Sequence, residues 1–420
     1  MKYSGIPWIG DIPKDWEYAR YKYSGMFVKG KLPNEQHNEP RGCPIIGASE
    51  MLGKECRNFS YDRSVPMCLK YDILILWDGA NAGIIANGHD GIVSSTVVMY
   101  QCKDTDFDAY YLYYLFKNGE PFFKSKVEGT TIPHMNQRYI DEYLCVKPNR
   151  REQENIAYFL DKKCAEVDEM VALQEKMIEE LKAYKQSVIT EAVTKGLNPN
   201  APMKDSGIEW IGEIPEHWEV CRIKNSAELF GRIGFRGYKS EDLNKDGDGA
   251  ITLSPSNMST MSMDYSNVTY LNWEKYHESP EIKIQNGDIL MVKTGSSYGK
   301  VSYVENLPKE ATINPQILRI VSKINSKYFA YILQTELFRY QVEVSVVGGT
   351  IPTISQEKIN NFFIPISSDI EQQQIANYLD DKCSAIDNLI SIKQQKIEEL
   401  KDYKKSIIYE YVTGKKEVEE

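Results

Sequence analysis

Met1-Lys2-Tyr3-Ser4-Gly5-Ile6-Pro7-Trp8-Ile9-Gly10-Asp11-Ile12-Pro13-Lys14-Asp15-Trp16-Glu17 opens the chain. It returns as Met203-Lys204-Asp205-Ser206-Gly207-Ile208-Glu209-Trp210-Ile211-Gly212-Glu213-Ile214-Pro215-Glu216-His217-Trp218-Glu219. About 200 residues separate the copies, so whole domains are duplicated and no solenoid is implied. A second pair agrees: Glu152-Gln153, Ala157, Leu160-Asp161 and Cys164 come back as Glu371-Gln372, Ala376, Leu379-Asp380 and Cys383. Each half reads as an opening motif, a variable globular body and a long helix. Two pseudo-equivalent modules suit a ligand with two half-sites.

The helices are read from spacing. No glycine or proline interrupts residues 152–195 or 371–413. In the first stretch Leu160, Cys164, Val167, Val171, Gln174, Ile178, Leu181, Lys185, Val188 and Ala192 step by four and three. Leu379, Cys383, Ile386, Ile390, Lys393, Ile397, Leu400, Lys404, Ile407 and Tyr411 do the same in the second. That is the 3.5-residue period of a coiled coil. Polar breaks fall at matching places, Gln174 with Lys393 and Lys185 with Lys404, as a register device or shared ancestry would produce. At 1.5 Å per residue, about 40 residues make a rod of roughly 60 Å. Paired helices of that length predict a ruler between two bodies.

The expected architecture is α+β: two similar α/β bodies separated by an antiparallel two-helix coiled coil, pseudo-twofold symmetric. The expected boundaries are 1–150 for the first body, 151–202 for the first helix and linker, 203–368 for the second body and 369–420 for the second helix and tail. Within the bodies, Tyr71–Trp77 and Ile92–Tyr100 read as buried strands, and the aromatic run from Ala109 to Phe116 as a core helix. Gly129-Thr130-Thr131-Ile132-Pro133 and Gly349-Thr350-Ile351-Pro352 are turns that end the bodies. The recurring tryptophans, Trp8/Trp210 and Trp16/Trp218, should clamp the opening segment.

Composition narrows the function. The eight cysteines form no CxxC pair and read as reduced thiols, with Cys164 and Cys383 on apolar helix faces. No secretory-type apolar run opens the sequence and no stretch approaches bilayer length, so no membrane role and a cytoplasmic location are expected. Asn244-Lys245-Asp246-Gly247-Asp248-Gly249-Ala250-Ile251 imitates a calcium loop, but Pro255 stands where the bidentate glutamate belongs, and a surface turn is the better reading. Asn314-Pro315-Gln316 lacks the second proline and aromatic of an amino-methyltransferase tetrad. There is no Walker loop, glycine-rich cofactor loop or nuclease pattern, and the five histidines are scattered. Nothing reads as catalytic machinery.

Net charge is −10, although the charges balance over residues 1–150. A chain so poor in surplus cations lacks counterion-release affinity for DNA and would need a partner to supply it. The most DNA-like stretch is Gly231-Arg232-Ile233-Gly234-Phe235-Arg236-Gly237-Tyr238-Lys239: glycines permit close approach, and arginines fork to guanine or phosphate. Its counterpart in the first body holds Lys29 and Lys31. The turns Trp77–Gly83 and Lys293–Lys300 follow buried strands at matching positions. There Asp78 suits a cytosine amino group, Asn81 an adenine edge, and Lys293, Ser296, Ser297 and Lys300 phosphates or base edges. For any single one of these residues, a purely structural role is the bland alternative.

The paired SGIxWIGxIPxxW openings, the GTTIP and GGTIP turns, the EQxxIAxxLDxKC helix starts and the IEELKxYKxS segments (Ile178–Ser187, Ile397–Ser406) carry a resemblance over essentially the whole chain. Taken together, they resemble the specificity (S) subunit of type I restriction–modification enzymes. The resemblance implies two target-recognition domains reading a split DNA site, and an antiparallel coiled coil that sets the spacer. It implies docking of two methyltransferase (M) subunits, with restriction (R) subunits supplying cleavage. No cofactor is then expected in this chain; S-adenosylmethionine, ATP and Mg belong to the partners, and the chain itself is no enzyme. Base-reading residues do not transfer, because recognition bodies vary most. Rival readings are a coiled-coil adaptor binding only proteins, or a fused enzyme with an unfamiliar site.

Overall fold

The computed structural model describes residues 1–6, 9–129, 131–234, 237–244, 246–346 and 351–418. Pro7, Trp8, Thr130, Phe235, Arg236, Lys245, Gly349 and Thr350 lie outside them. The chain divides into two compact units, residues 1–175 with 394–420, and residues 176–393.

In the first unit, a hairpin of Lys2–Tyr3 and Asp11–Ile12 precedes β1 (Glu17–Arg20). An antiparallel sheet follows, made of β2 (Gly25–Lys29), β3 (Ile73–Leu76), β4 (Ile85–Ala86) and β5 (Val97–Cys102) in the order β2-β5-β3-β4. All four residues of β3 are buried, as an uninterrupted Ile-Leu-Ile-Leu run requires. A second four-stranded sheet contains a parallel pair, Cys43–Ile46 with Gly91–Val93. The expected strand over 92–100 is in fact two strands in different sheets. The Val97 N–H donates to Ser94 O and makes a turn between them, so local β propensity lost to chain reversal. Helix α1 (Ala109–Ser125) is capped by the Asp108 carboxylate and buries Tyr111, Leu112, Tyr114, Leu115 and Phe116, the core use expected of the aromatic run. The strand β6 (Leu144–Lys147) returns to pair antiparallel with β1 and leads into α2 (Arg150–Lys195).

The second unit repeats this plan. The hairpin Met203–Asp205/Glu213–Pro215 precedes β7 (Glu219–Arg222). Strands β8 (Ala227–Gly231), β9 (Ile289–Val292), β10 (Val301–Tyr303) and β11 (Ile317–Ser322) form a sheet in the order β8-β11-β9-β10, matching the first unit strand for strand. The second sheet again has a parallel pair, Ala250–Leu253 with Ala311–Ile313. The single helix α1 is here broken into α3 (Ser326–Ile332) and α4 (Glu336–Ser345), with Thr335 capping α4. The strand β12 (Phe363–Ile366) pairs with β7 and leads into α5 (Asp369–Val412).

Each unit contains an antiparallel stretch of the helix pair. In the first, Leu160 and Cys164 of α2 share a core with Ile407, Ile408 and Val412 of α5, and Lys404 Nζ meets Asp168 Oδ2 at 2.7 Å. In the second, Val188, Ile189 and Ala192 share a core with Ile375, Leu379 and Cys383, and Lys185 Nζ meets Asp387 Oδ2 at 2.7 Å. The polar breaks at Lys185 and Lys404 are therefore cross-helix ion pairs in repeat-equivalent places. Both are partly solvated and worth on the order of 0.2–1 kcal/mol each, so apolar burial holds the helices and the pairs fix their register.

Trp16 and Trp218 are fully buried in their units' cores. Trp218 also donates from Nε1 to Glu371 Oε2 at 2.9 Å, tying the opening motif to the start of α5. Trp218→Ala should therefore cost about 3–5 kcal/mol, the range for emptying a large core site. Calorimetry that resolves the two units will show the transition of the unit holding Trp218 moving down; an unchanged thermogram would mean this indole clamps nothing.

Candidate nucleic-acid interface

The loop after β3 and the loop after β9 have the same backbone. In the first, the Gly83 N–H donates to Leu76 O (2.7 Å) and the Ala82 N–H to Gly79 O (2.9 Å). In the second, the Gly299 N–H donates to Val292 O (2.8 Å) and the Tyr298 N–H to Gly295 O (3.1 Å). Gly79 and Gly295 sit at φ 104° and 106°, a conformation side chains resist, so glycine is required at this corner.

Each loop is also tied from outside by the turn that closes its body. The Gly79 N–H donates to Pro133 O (2.8 Å), and the Met135 N–H to Trp77 O (2.8 Å). Likewise the Gly295 N–H donates to Pro352 O (3.0 Å), and the Ile354 N–H to Lys293 O (3.0 Å). The Ile-Pro turns therefore do more than end the bodies; they clamp the loops. On these matched frames the side chains differ. Trp77, Asp78, Ala80 and Asn81 stand where the second unit has Lys293, Thr294, Ser296 and Ser297.

One cation is kept in both places by different means. In the first unit the strand end supplies it: Lys29 Nζ lies 2.6 Å from Asp78 Oδ2 and 5.9 Å from the Trp77 ring centre. The strand register puts Gly231 at the position of Lys29, since Lys29 pairs with Val98 on β5 and Gly231 with Leu318 on β11. There the loop supplies the lysine, and Lys293 Nζ would lie 3.3 Å from a Cβ built on Gly231. Lys293 is half-buried and makes no ion pair among the described residues, and its burial pushes the ammonium pKa down.

The other expected residues are distributed as follows. Lys31 is exposed, and its N–H donates to Val93 O. Asn81 and Ser296 are exposed, and Ser297 and Lys300 are half-exposed. Ser296, Ser297 and Lys300 line a cavity of about 520 Å³ with Gln186, Arg339 and Glu343. Lys239 is exposed beside Glu241. Arg232 departs from the expectation of a presented guanidinium. It is only 6% exposed, donates from Nε to Ile313 O (3.2 Å) and from Nη2 to Thr312 Oγ1 (3.0 Å), and lies 5.0 Å from the Tyr238 ring centre. Its charge is spent on satisfying a strand end, and Tyr238 packs against it. Sequence composition alone could not distinguish that from a basic loop. Among the described residues no His/Cys/Asp/Glu group is arranged to hold a metal. None of their helices is long and apolar enough to cross a membrane.

Two matched loops on one duplicated scaffold, each with a lysine at its base and different polar groups at its tip, define a two-site recognition chain. The chain belongs to the family described as "Type I restriction modification DNA specificity domain", which it matches twice, over residues 13–183 and 215–402. It is 29% identical to the type I restriction enzyme MjaVIII specificity subunit of Methanocaldococcus jannaschii, over 96% of this chain and 93% of that one. The putative MjaX specificity subunit of the same organism is 25% identical over 97% and 95%. A chain from a structure addressing complex assembly and conformational transition of the type I R-M system shares the fold, with a TM-score of 0.69, 16% identity and coverage of 96% and 98%.

Two changes test the interface. Lys293→Met should leave thermal stability unchanged or raised, because burial disfavours the ammonium. It should also weaken DNA binding with a salt slope smaller by about one. A fall in melting temperature instead would assign Lys293 to the fold. Gly295→Ala puts a side chain into a left-handed corner at a cost of about 1–2 kcal/mol. It should reduce DNA affinity while the far-UV spectrum stays native; unaltered affinity would remove this loop from the interface.

Proposed function

We propose that this chain is the subunit that selects DNA for a type I restriction–modification complex, each body (residues 1–150 and 203–368) reading one part of a split site. The observation that carries this is the pair of superposable loop frames with unlike side chains. A frame held by backbone bonds presents residues at fixed positions, and changing those residues changes the base pattern accepted without rebuilding the mount. Asp78 and Asn81 face one half-site and Ser296 and Ser297 the other, with Lys29, Lys31, Lys239, Lys293 and Lys300 toward phosphates. Because the tips differ, the target is non-palindromic.

On this reading the helices set the spacer and dock two M subunits, which bind S-adenosylmethionine and methylate an adenine in each half. R subunits bring ATP- and Mg-dependent cleavage. The chain itself performs no chemistry, and the complex works in the cytoplasm on double-stranded DNA.

A base-modification map of host DNA, with the gene intact and disrupted, tests the proposal. A split adenine-methylated motif should vanish on disruption. Asp78→Asn should relax or alter only one half of it. A motif with identical inverted halves, or one altered in both halves by Asp78→Asn, contradicts the assignment.

A further inference from the structure

The clamp turns present one feature that base reading does not use. Ile132 is 66% exposed and Ile351 is 63% exposed, and each directly precedes the proline whose carbonyl holds its recognition loop. Single exposed apolar side chains are common and usually mean nothing. These two are different in three respects. They occupy equivalent positions in bodies whose loop tips have diverged. Each sits on a backbone pinned on its far side by two hydrogen bonds to the loop. Their described chain neighbours Thr131, His134, Thr353 and Ser355 are polar and exposed, so neither isoleucine belongs to an apolar run of the chain.

We infer that Ile132 and Ile351 are wedge residues: each inserts its apolar side chain at a base step beside the target adenine of its own half-site, lowering the cost of moving that adenine out of the stack. This rests on the functional reading above. What the two unlike half-sites share is the base to be methylated, and a methyltransferase reaches that base only after it leaves the duplex. A rigidly mounted β-branched side chain next to the reading loop is the kind of group that props open a base step. It carries no sequence information, which is why it stays the same in both bodies while the tips differ. Each isoleucine is a positioning residue; it touches no methyl donor.

The test uses the assembled complex of this chain with its M subunits, on duplexes carrying the motif read from the methylation map. Ile132→Ala should slow methylation of one half-site adenine by about tenfold, leaving the other half and subunit assembly intact. Ile351→Ala should do the reverse. Placing a mismatch opposite the target adenine pre-pays the unstacking, so it should return each variant to the wild-type rate; 2-aminopurine at the target position should brighten less with the variants on matched DNA. Ile132→Leu should keep most of the activity. Loss of M-subunit assembly, or a defect that the mismatch does not relieve, overturns the wedge. So do variants that match the wild type. A wild-type complex that methylates no split motif overturns the functional reading and this inference with it, whereas a methylating wild type with silent substitutions overturns this inference alone.

Discussion

Each unit completes its core with the end of a long helix, and in the first unit that end is distant in sequence. In the first unit the opening segment, with Ile6, Ile12 and Trp16, packs in one cluster with Ile407, Ile408 and Val412 from the far end of α5. In the second, Ile211, Ile214 and Trp218 pack with Val188, Ile189 and Val193, the end of α2. The opening motif is apolar at fixed spacings because it must fit a helix end, and it recurs because both helix ends are alike. A first body translated alone therefore lacks part of its core until about 260 further residues have been made. Non-local closure of this kind slows folding, since loop entropy is lost before the contacts form.

The second constraint is local and serves recognition. Three groups of backbone bonds define each loop: those within it, those to the closing turn, and the N–H of its first residue donating to Thr96 O or Gln316 O. None involves a side chain. A mount built this way tolerates any tip residue that does not need the glycine corners. Gln316 belongs to the Asn314-Pro315-Gln316 segment that superficially resembles a methyltransferase tetrad; its carbonyl steadies the loop, and Asn314 Oδ1 accepts the Gln316 N–H.

Periodicity made the seam legible, because burial every 3.5 residues leaves a pattern that survives divergence. Cys164, Val167, Ile178, Cys383, Ile386 and Ile397 are all buried where the spacing places them. Trp16 and Trp218 were legible because the opening motif repeats, and both are buried. Arg232 was misleading because glycine and arginine side by side look alike whether the guanidinium faces solvent or a strand end. The lysine exchange between Lys29 and Lys293 was hidden, since the two residues match only once strand register is known. The Ile-Pro turns were visible as punctuation, but their clamp is made of carbonyls and N–H groups, which have no sequence signature.

Electrostatics then divides the labour between the two bodies. With a net charge of −10, this chain has no surplus of cations with which to hold a duplex by counterion release alone. Its contribution is selection, and the two loops select from different starting states. Lys29 is already paired with Asp78, so on the proposed reading a phosphate has to compete with that carboxylate for its ammonium. On the same reading a base donor takes over the Asp78 carboxylate, and a base acceptor in that place leaves it repelled. Lys293 has no such partner among the described residues and is disfavoured as a buried charge, so any phosphate or guanine edge relieves it. On the proposed reading the first loop discriminates by penalty and the second by attraction, and a split site needs both, because an attractive contact alone would bind half-sites indiscriminately.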